Sequence, residues 1–193
     1  MALCYDSSRY TRDIDFSQNQ RYTEGDEERL VQELDAALQV TSSELAYGLD
    51  CRVQSKELKP RIENPTFPTL NVKIGYAYKH EAAKHQRLLR RNSSTLVEID
   101  FSYNETTNSA EEFKISESDT LLRYSLIGLM AEKFRALLQQ EVRNRSRRQD
   151  IYDLYYLLTN AHVNFDDIKL HLLKAFIESA ASKQLNVHIN SML

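Results

Sequence analysis

Between Leu49 and Tyr103 apolar residues tend to alternate with polar ones, and beyond Phe113 they return every three to four positions instead. The first period is that of a half-buried strand and the second that of an amphipathic helix, so the chain reads as a sheet followed by helices, an α+β plan. The segments CRVQSKEL, LNVKIGYAY and STLVEIDFSY read as strands, separated by Pro60, Pro65, Pro68 and a basic stretch. A strand over Asp13–Phe16 precedes them. Between it and Leu49, GDEERLVQELDAALQV carries Leu30, Leu34, Ala37 and Leu38 at helical spacing behind an acidic first turn. HEAAKHQRLLRRNSS fits either a short helix or a loop.

After a short extended segment, LLRYSLIGLMAEKFRALLQQEV puts Ile127, Met130, Phe134, Leu137 and Leu138 on one helical face. QDIYDLYYLL does the same with Ile151, Leu154, Tyr155 and Leu158. A last helix, Phe165 to Gln184, turns Ile168, Leu172, Leu173, Phe176 and Ile177 inward. The expected division is a sheet domain over residues 1–118 and a helical region over 119–193.

A chain of 193 residues with 41% hydrophobic content can bury a core of this kind. Its formal charge of -3 gives no global basic field, so any RNA contact must be local. Two cysteines, Cys4 and Cys51, are too few for a disulfide framework and lack zinc-site spacing, which fits a reducing cytoplasm. The start is polar, without a charged-then-apolar leader, and no apolar run approaches the about 20 residues that span a bilayer. A soluble, cytoplasmic protein without a membrane partner is expected. The histidines, at 80, 85, 162, 171 and 188, show no metal-ligand spacing, and no serine sits in a Gly-x-Ser-x-Gly elbow.

The acids are more informative. Asp13 and Asp15 flank Ile14, so in a strand both carboxylates leave one face and Ile14 turns into the core. Two adjacent acids repel unless a cation or proton sits between them, and Mg²⁺ bound by carboxylates and substrate phosphates is one resolution. The plainer reading is two solvated acids on an edge strand. In LVEIDFSYNE, Glu98 and Asp100 again share a face; beside the first strand they would bring three or four carboxylates together, as two-metal phosphoryl or nucleotidyl transfer requires. Otherwise they are the polar side of a half-solvated sheet.

Lys133 stands beside the apolar stripe of its helix, and Asp150 and Asp153 share a face at i, i+3. An ammonium there can meet NTP phosphates or close an ion pair with Glu132 or Asp150. The Thr11 hydroxyl would point toward the same mouth as the two aspartates, where it could bind a phosphate oxygen, and Ser7 and Ser8 lie on the approach loop, where serines usually make turns. Arg87, Arg90 and Arg91, and the link holding Arg143, Arg145, Arg147 and Arg148, read as solvated surface or as RNA contacts.

Two stretches carry a family resemblance. MALCYDSSRYTRDIDFSQ resembles the Gly-Gly-x-Ala-Leu segment running into Arg-(Tyr/Phe)-(Ser/Thr)-x-Asp-Ile-Asp of AbiEii/AbiGii nucleotidyltransferase toxins. EKFRALLQQEVRNRSRRQDIYDLYYLL resembles their Lys-(Leu/Phe)-x-Ala-Leu block followed by Arg-x-x-(Arg/Gln)-Asp-x-x-Asp-Leu. The resemblance implies a nucleotidyltransferase-like mixed sheet with helices, Mg²⁺ as cofactor, an NTP donor, a tRNA acceptor in several members, and an accompanying antitoxin, the arrangement of abortive-infection toxin–antitoxin pairs. Carried onto this sequence, Asp13, Asp15, Lys133 and Asp150 are catalytic; Asp13, Asp15 and Glu98 hold the metal, with Asp100 the alternative to Glu98. Ser8, Thr11 and Lys133 meet the nucleotide, and Asp153 serves chemistry or helix packing. The family's two glycines, which admit its backbone to the NTP phosphates, fall ahead of Met1. An N-terminally shortened chain is therefore expected. Its alternative role is that of a catalytically inactive nucleotide- or protein-binding module.

Overall fold

The computed structural model describes residues 13–63, 65–107, 109–117, 119–144, 146, 148–160, 164–183 and 185, with the side chains of 141–143 left aside. Two compact units divide the chain, Thr11–Glu105 and one that includes Thr106–Leu193.

Among the described residues the first unit is a four-stranded sheet with two helices. Its strands are β1 (Asp13–Ser17), β2 (Leu49–Lys59), β3 (Thr69–Tyr78) and β4 (Leu96–Ser102), in the order β1-β4-β3-β2. β1 runs parallel to β4, and the other two pairings are antiparallel, so the sheet is mixed. Parity gives each face its character. Val53, Leu70, Val72, Ile74 and Ile99 form the buried side, where Leu30, Val31, Leu34 and Leu38 of helix α1 (Asp26–Glu44) pack on them. The acidic first turn of α1, Asp26, Glu27 and Glu28, complements the helix dipole.

β2 is one outer strand, and α1 covers its exposed donors. Asp35 accepts from the Val53 amide at 2.8 Å and Ser42 Oγ from the Cys51 amide at 3.0 Å. Those two N–H groups would otherwise present a bare edge to other chains. On the opposite side of the sheet lies helix α2 (Ala82–Leu89), which resolves HEAAKHQRLLRRNSS in favour of a helix. His85 of α2 bonds Asp50 of β2, and Gln54 bonds the Leu88 carbonyl.

β1 departs from expectation in one respect. Ile14 and Phe16 lie on the apolar side, with Phe16 stacked on Phe101 at 5.2 Å, yet they are 44% and 42% exposed. β1 is the last strand in the described order, so its apolar side chains gain neighbours from one flank and Ile14 is not core.

The second unit opens with an antiparallel hairpin, β5 (Ala110–Lys114) and β6 (Thr120–Tyr124), so LLRY is strand and the helix begins later. Helices α3 (Leu126–Arg143), α4 (Arg148–Asn160) and α5 (Phe165–Ser182) follow. Asn164 caps α5, its side chain accepting from the Asp166 amide. The core joins Met130 and Ala131, Leu154 and Leu157, and Leu172 and Phe176, with Phe134 edge-on to Phe176. Leu138 and Leu173, expected inward, are more than a third exposed.

α4 is turned from the expected orientation. Its buried face is Asp150, Asp153, Leu154 and Leu157, while Ile151, Tyr155 and Leu158 of the expected stripe are exposed. Lys133 explains the rotation: its ammonium lies 3.0 Å from Asp150 and 2.7 Å from Asp153, and this pairing draws the two acids inward. No helix among the described residues is long and apolar enough to cross a membrane.

Candidate active site

Because β1 and β4 run parallel in register, Asp13 lies opposite Glu98 and Asp15 opposite Asp100. β3 continues both rows, Lys73 beside Glu98 and Asn71 beside Asp100. Adjacent strands stand roughly 4.8 Å apart, so the four acids form two neighbouring pairs on the face away from α1. The carboxylates of these pairs are all hard oxygen donors.

Asn71 organises the row. Its side-chain amide, 2% exposed, donates to Asp100 at 2.6 Å and to Glu98 at 3.2 Å. Lys73 reaches Glu98 at 3.3 Å. The Asn71 hydrogen bond, followed by the Lys73 contact, holds the Glu98 carboxyl below its ordinary pKa, so Glu98 is committed to its ionised form. The Asn71 carbonyl oxygen Oδ1 is buried and has no hydrogen-bond partner among the described residues. An orphan acceptor of this kind costs stability, and such groups are retained where a site needs them. Sequence reading passed over Asn71. The available signal was a polar residue at alternating positions in an otherwise apolar strand, Leu70-Asn71-Val72-Lys73-Ile74.

Among the described residues no three His, Cys, Asp or Glu side chains come together as a ready-made metal cage. Mg²⁺ does not need one: it commonly binds one or two carboxylates and completes its shell with water and substrate phosphate. The Asp15–Asp100 pair, with Asp13 one row away, fits that demand by donor type and register.

Lys133, Asp150 and Asp153 meet in the helical unit as a compact ion triad, in which the Asp153 side chain is fully buried and that of Lys133 is 14% exposed. Glu132, the other partner considered for Lys133, instead binds Arg135 and Ser179. Ser8 and Thr11 lie outside the described residues, as do Arg145, Arg147 and the side chain of Arg143; Arg148 is exposed.

A further polar cluster was not foreseen. Asp50, 2% exposed, accepts from Arg52 at 3.0 Å and contacts His85 Nε2 at 2.9 Å. Burial pushes the Asp50 carboxyl up, but the bonds from His85 and Arg52 outweigh it and leave its pKa below the ordinary value. The cluster ties α2 to β2.

A family model described as nucleotidyl transferase AbiEii toxin, type IV TA system, matches residues 1–191, nearly the whole chain. No curated protein matches it.

Proposed function

The chain belongs to the AbiEii family of nucleotidyl transferase toxins of type IV toxin–antitoxin systems, and from that premise we propose that it transfers a nucleotide from an NTP to an acceptor hydroxyl at the carboxylate face of the sheet. The observation that carries this reading is the register of β1 on β4, which pairs Asp13 with Glu98 and Asp15 with Asp100.

Asp15 and Asp100, opposite one another on β1 and β4, would hold Mg²⁺, and Asp13, one row away, would meet it through water or substrate phosphate. What supports Asp100 over Glu98 is its position opposite Asp15 and the Lys73 ammonium on Glu98, which uses up that carboxylate's charge. When bound there, the metal would supply positive charge to the triphosphate and to the negative charge developing in the transition state. Asn71 keeps the acids aimed by donating to both carboxylates of β4. The acceptor oxygen bonds to the α-phosphorus, its proton passes to a carboxylate of this face, and the bond to pyrophosphate breaks. Lys133 and Asp150 enter the reading through the motif they share, and Ser8 and Thr11 through theirs. A tRNA end is the acceptor implied by the same resemblance.

The test is label transfer from each radiolabelled NTP to total tRNA in the presence of Mg²⁺. Asp15→Asn should lower the rate roughly a thousand-fold, the scale of losing several kcal/mol of transition-state charge stabilisation, with the circular dichroism unchanged. Transfer that survives in Asp13→Ala and Asp15→Asn would overturn the reading. No transfer by the wild type to any acceptor would shift it to a binding module.

A further inference from the structure

Five cations, Lys79, Lys84, Arg87, Arg90 and Arg91, fall within thirteen residues that contain a single carboxylate, Glu81, in a chain whose net charge is -3. Lys84 is taken by Glu81. The three arginines are exposed, and none is paired with a carboxylate among the described residues, whereas five of the seven other arginines with described side chains, Arg29, Arg52, Arg61, Arg123 and Arg135, are. One arginine in the last turn of a helix complements the dipole. Three together, two of them beyond the helix end, repel one another without such a return.

Arg91 adds a second observation. It follows the helix in a left-handed conformation, φ 55°, with its amide bonded to the Leu88 carbonyl and the Asn92 amide to that of Arg87. That is the helix-terminating position at which glycine is favoured. An arginine there carries backbone strain that glycine would avoid, and it places a third cation at this helix end.

The chain beyond the cluster lies over the acid-bearing face. Gly75 shares its side of β3 with Asn71 and Lys73, and a Cβ placed on it would meet Ser93 at 2.6 Å and Gln54 at 2.8 Å. The chain leaving Arg91 therefore crosses the same face that carries the acids. Four residues of strand, about 13 Å, separate Gly75 from Asn71. That span corresponds to about four stacked nucleotides at ~3.4 Å each.

We infer that Arg87, Arg90 and Arg91 form a phosphate-backbone grip for a single-stranded RNA acceptor, holding the strand a few nucleotides back from the end that enters the carboxylate face. This rests on the transferase reading for the role of the held strand, but the binding itself is independent of it. Guanidinium forks suit phosphate oxygens, and the contacts are blind to base identity.

The experiment is fluorescence anisotropy of a labelled 12-nucleotide single-stranded RNA, without NTP, across 50 to 200 mM salt. The triple variant Arg87→Gln, Arg90→Gln, Arg91→Gly should weaken binding by about 10- to 100-fold and lower the salt slope by about two, since each lost single-strand phosphate contact removes roughly 0.7. Arg91→Gly alone should hold or raise the melting temperature while weakening binding, which separates the grip from a folding defect. Arg29→Gln with Arg61→Gln, two arginines already paired, should bind as the wild type does. Equal binding by wild type and triple variant, or no binding by the wild type at 50 mM salt, would overturn the inference. RNA binding by Asp15→Asn without transfer would support the grip, and RNA binding by a wild type that transfers nothing would remove the transferase reading while leaving the grip standing.

Discussion

Replacing Asn71 by aspartate tests whether this amide holds the carboxylate face together. The side chain is 2% exposed and donates to Asp100 at 2.6 Å and to Glu98 at 3.2 Å. Asn71→Asp turns both donations into contacts between acceptors of like charge. A hydrogen bond to a charged group contributes about 1.5–3 kcal/mol. The Glu98 share is to be discounted because its side chain is 46% exposed and water screens it. The expected cost is then roughly 2–4 kcal/mol at pH 7.5, which for a urea slope of about 2 kcal/mol/M lowers the unfolding midpoint by about 1–2 M. The pH dependence fixes the cause. Burial and two neighbouring carboxylates both raise the pKa of the new carboxyl above its unfolded value. Its neutral form can again donate, so the stability is present at pH below the unfolded value and is lost as pH rises through the folded one. The gap to wild type, measured at each pH, should therefore narrow from pH 7.5 toward pH 5. Asn71→Leu, which carries no titratable group, should show no such narrowing. A variant with the wild-type midpoint at pH 7.5, or a gap that stays constant with pH, would refute the argument.

Three further outcomes are expected. The Asp50 carboxyl has its folded pKa below the ordinary value, so its contribution is present above about pH 4 and lost as pH falls through the folded value; acid titration of Asp50→Asn by circular dichroism should lack that part of the wild-type decline. Lys133→Met removes the ammonium that lies against the buried Asp150 and Asp153, which should cost about 3–5 kcal/mol in denaturant melts, the scale of a broken buried pair. On α4, Leu154→Ala should cost about 2–5 kcal/mol and Ile151→Ala under about 1 kcal/mol, and the reverse order in urea melts would mean the helix is turned the other way.

Strand parity and helical spacing carried most of the architecture. The strands over 49–59, 69–78 and 96–102 and the helices over 26–44, 126–143 and 165–182 follow from periods of two and of three to four. α4 shows where that reasoning stops. Counting apolar residues selects Ile151, Tyr155 and Leu158, because the count treats each residue alone. Asp150 and Asp153 are buried because Lys133, on another helix, supplies charge to them, and burial of an ion is a property of the pair.

The carboxylate face has the same logic. Parity within β1 says that Asp13 and Asp15 share a side, and parity within β4 says the same of Glu98 and Asp100. Whether those sides coincide depends on strand order and register, and a shift of one residue would have put one pair of acids against the apolar side. Local pattern does not contain that choice. It is settled by the apolar partners on the other face, Phe16 on Phe101 and Ile14 on Ile99, since sliding β1 by one residue would set an aspartate against Ile99 and an aspartate or Ser17 against Phe101. The hydrophobic side of the sheet therefore sets the alignment of the acids, and Asn71, reaching across from β3, holds the pair on β4 once they are there.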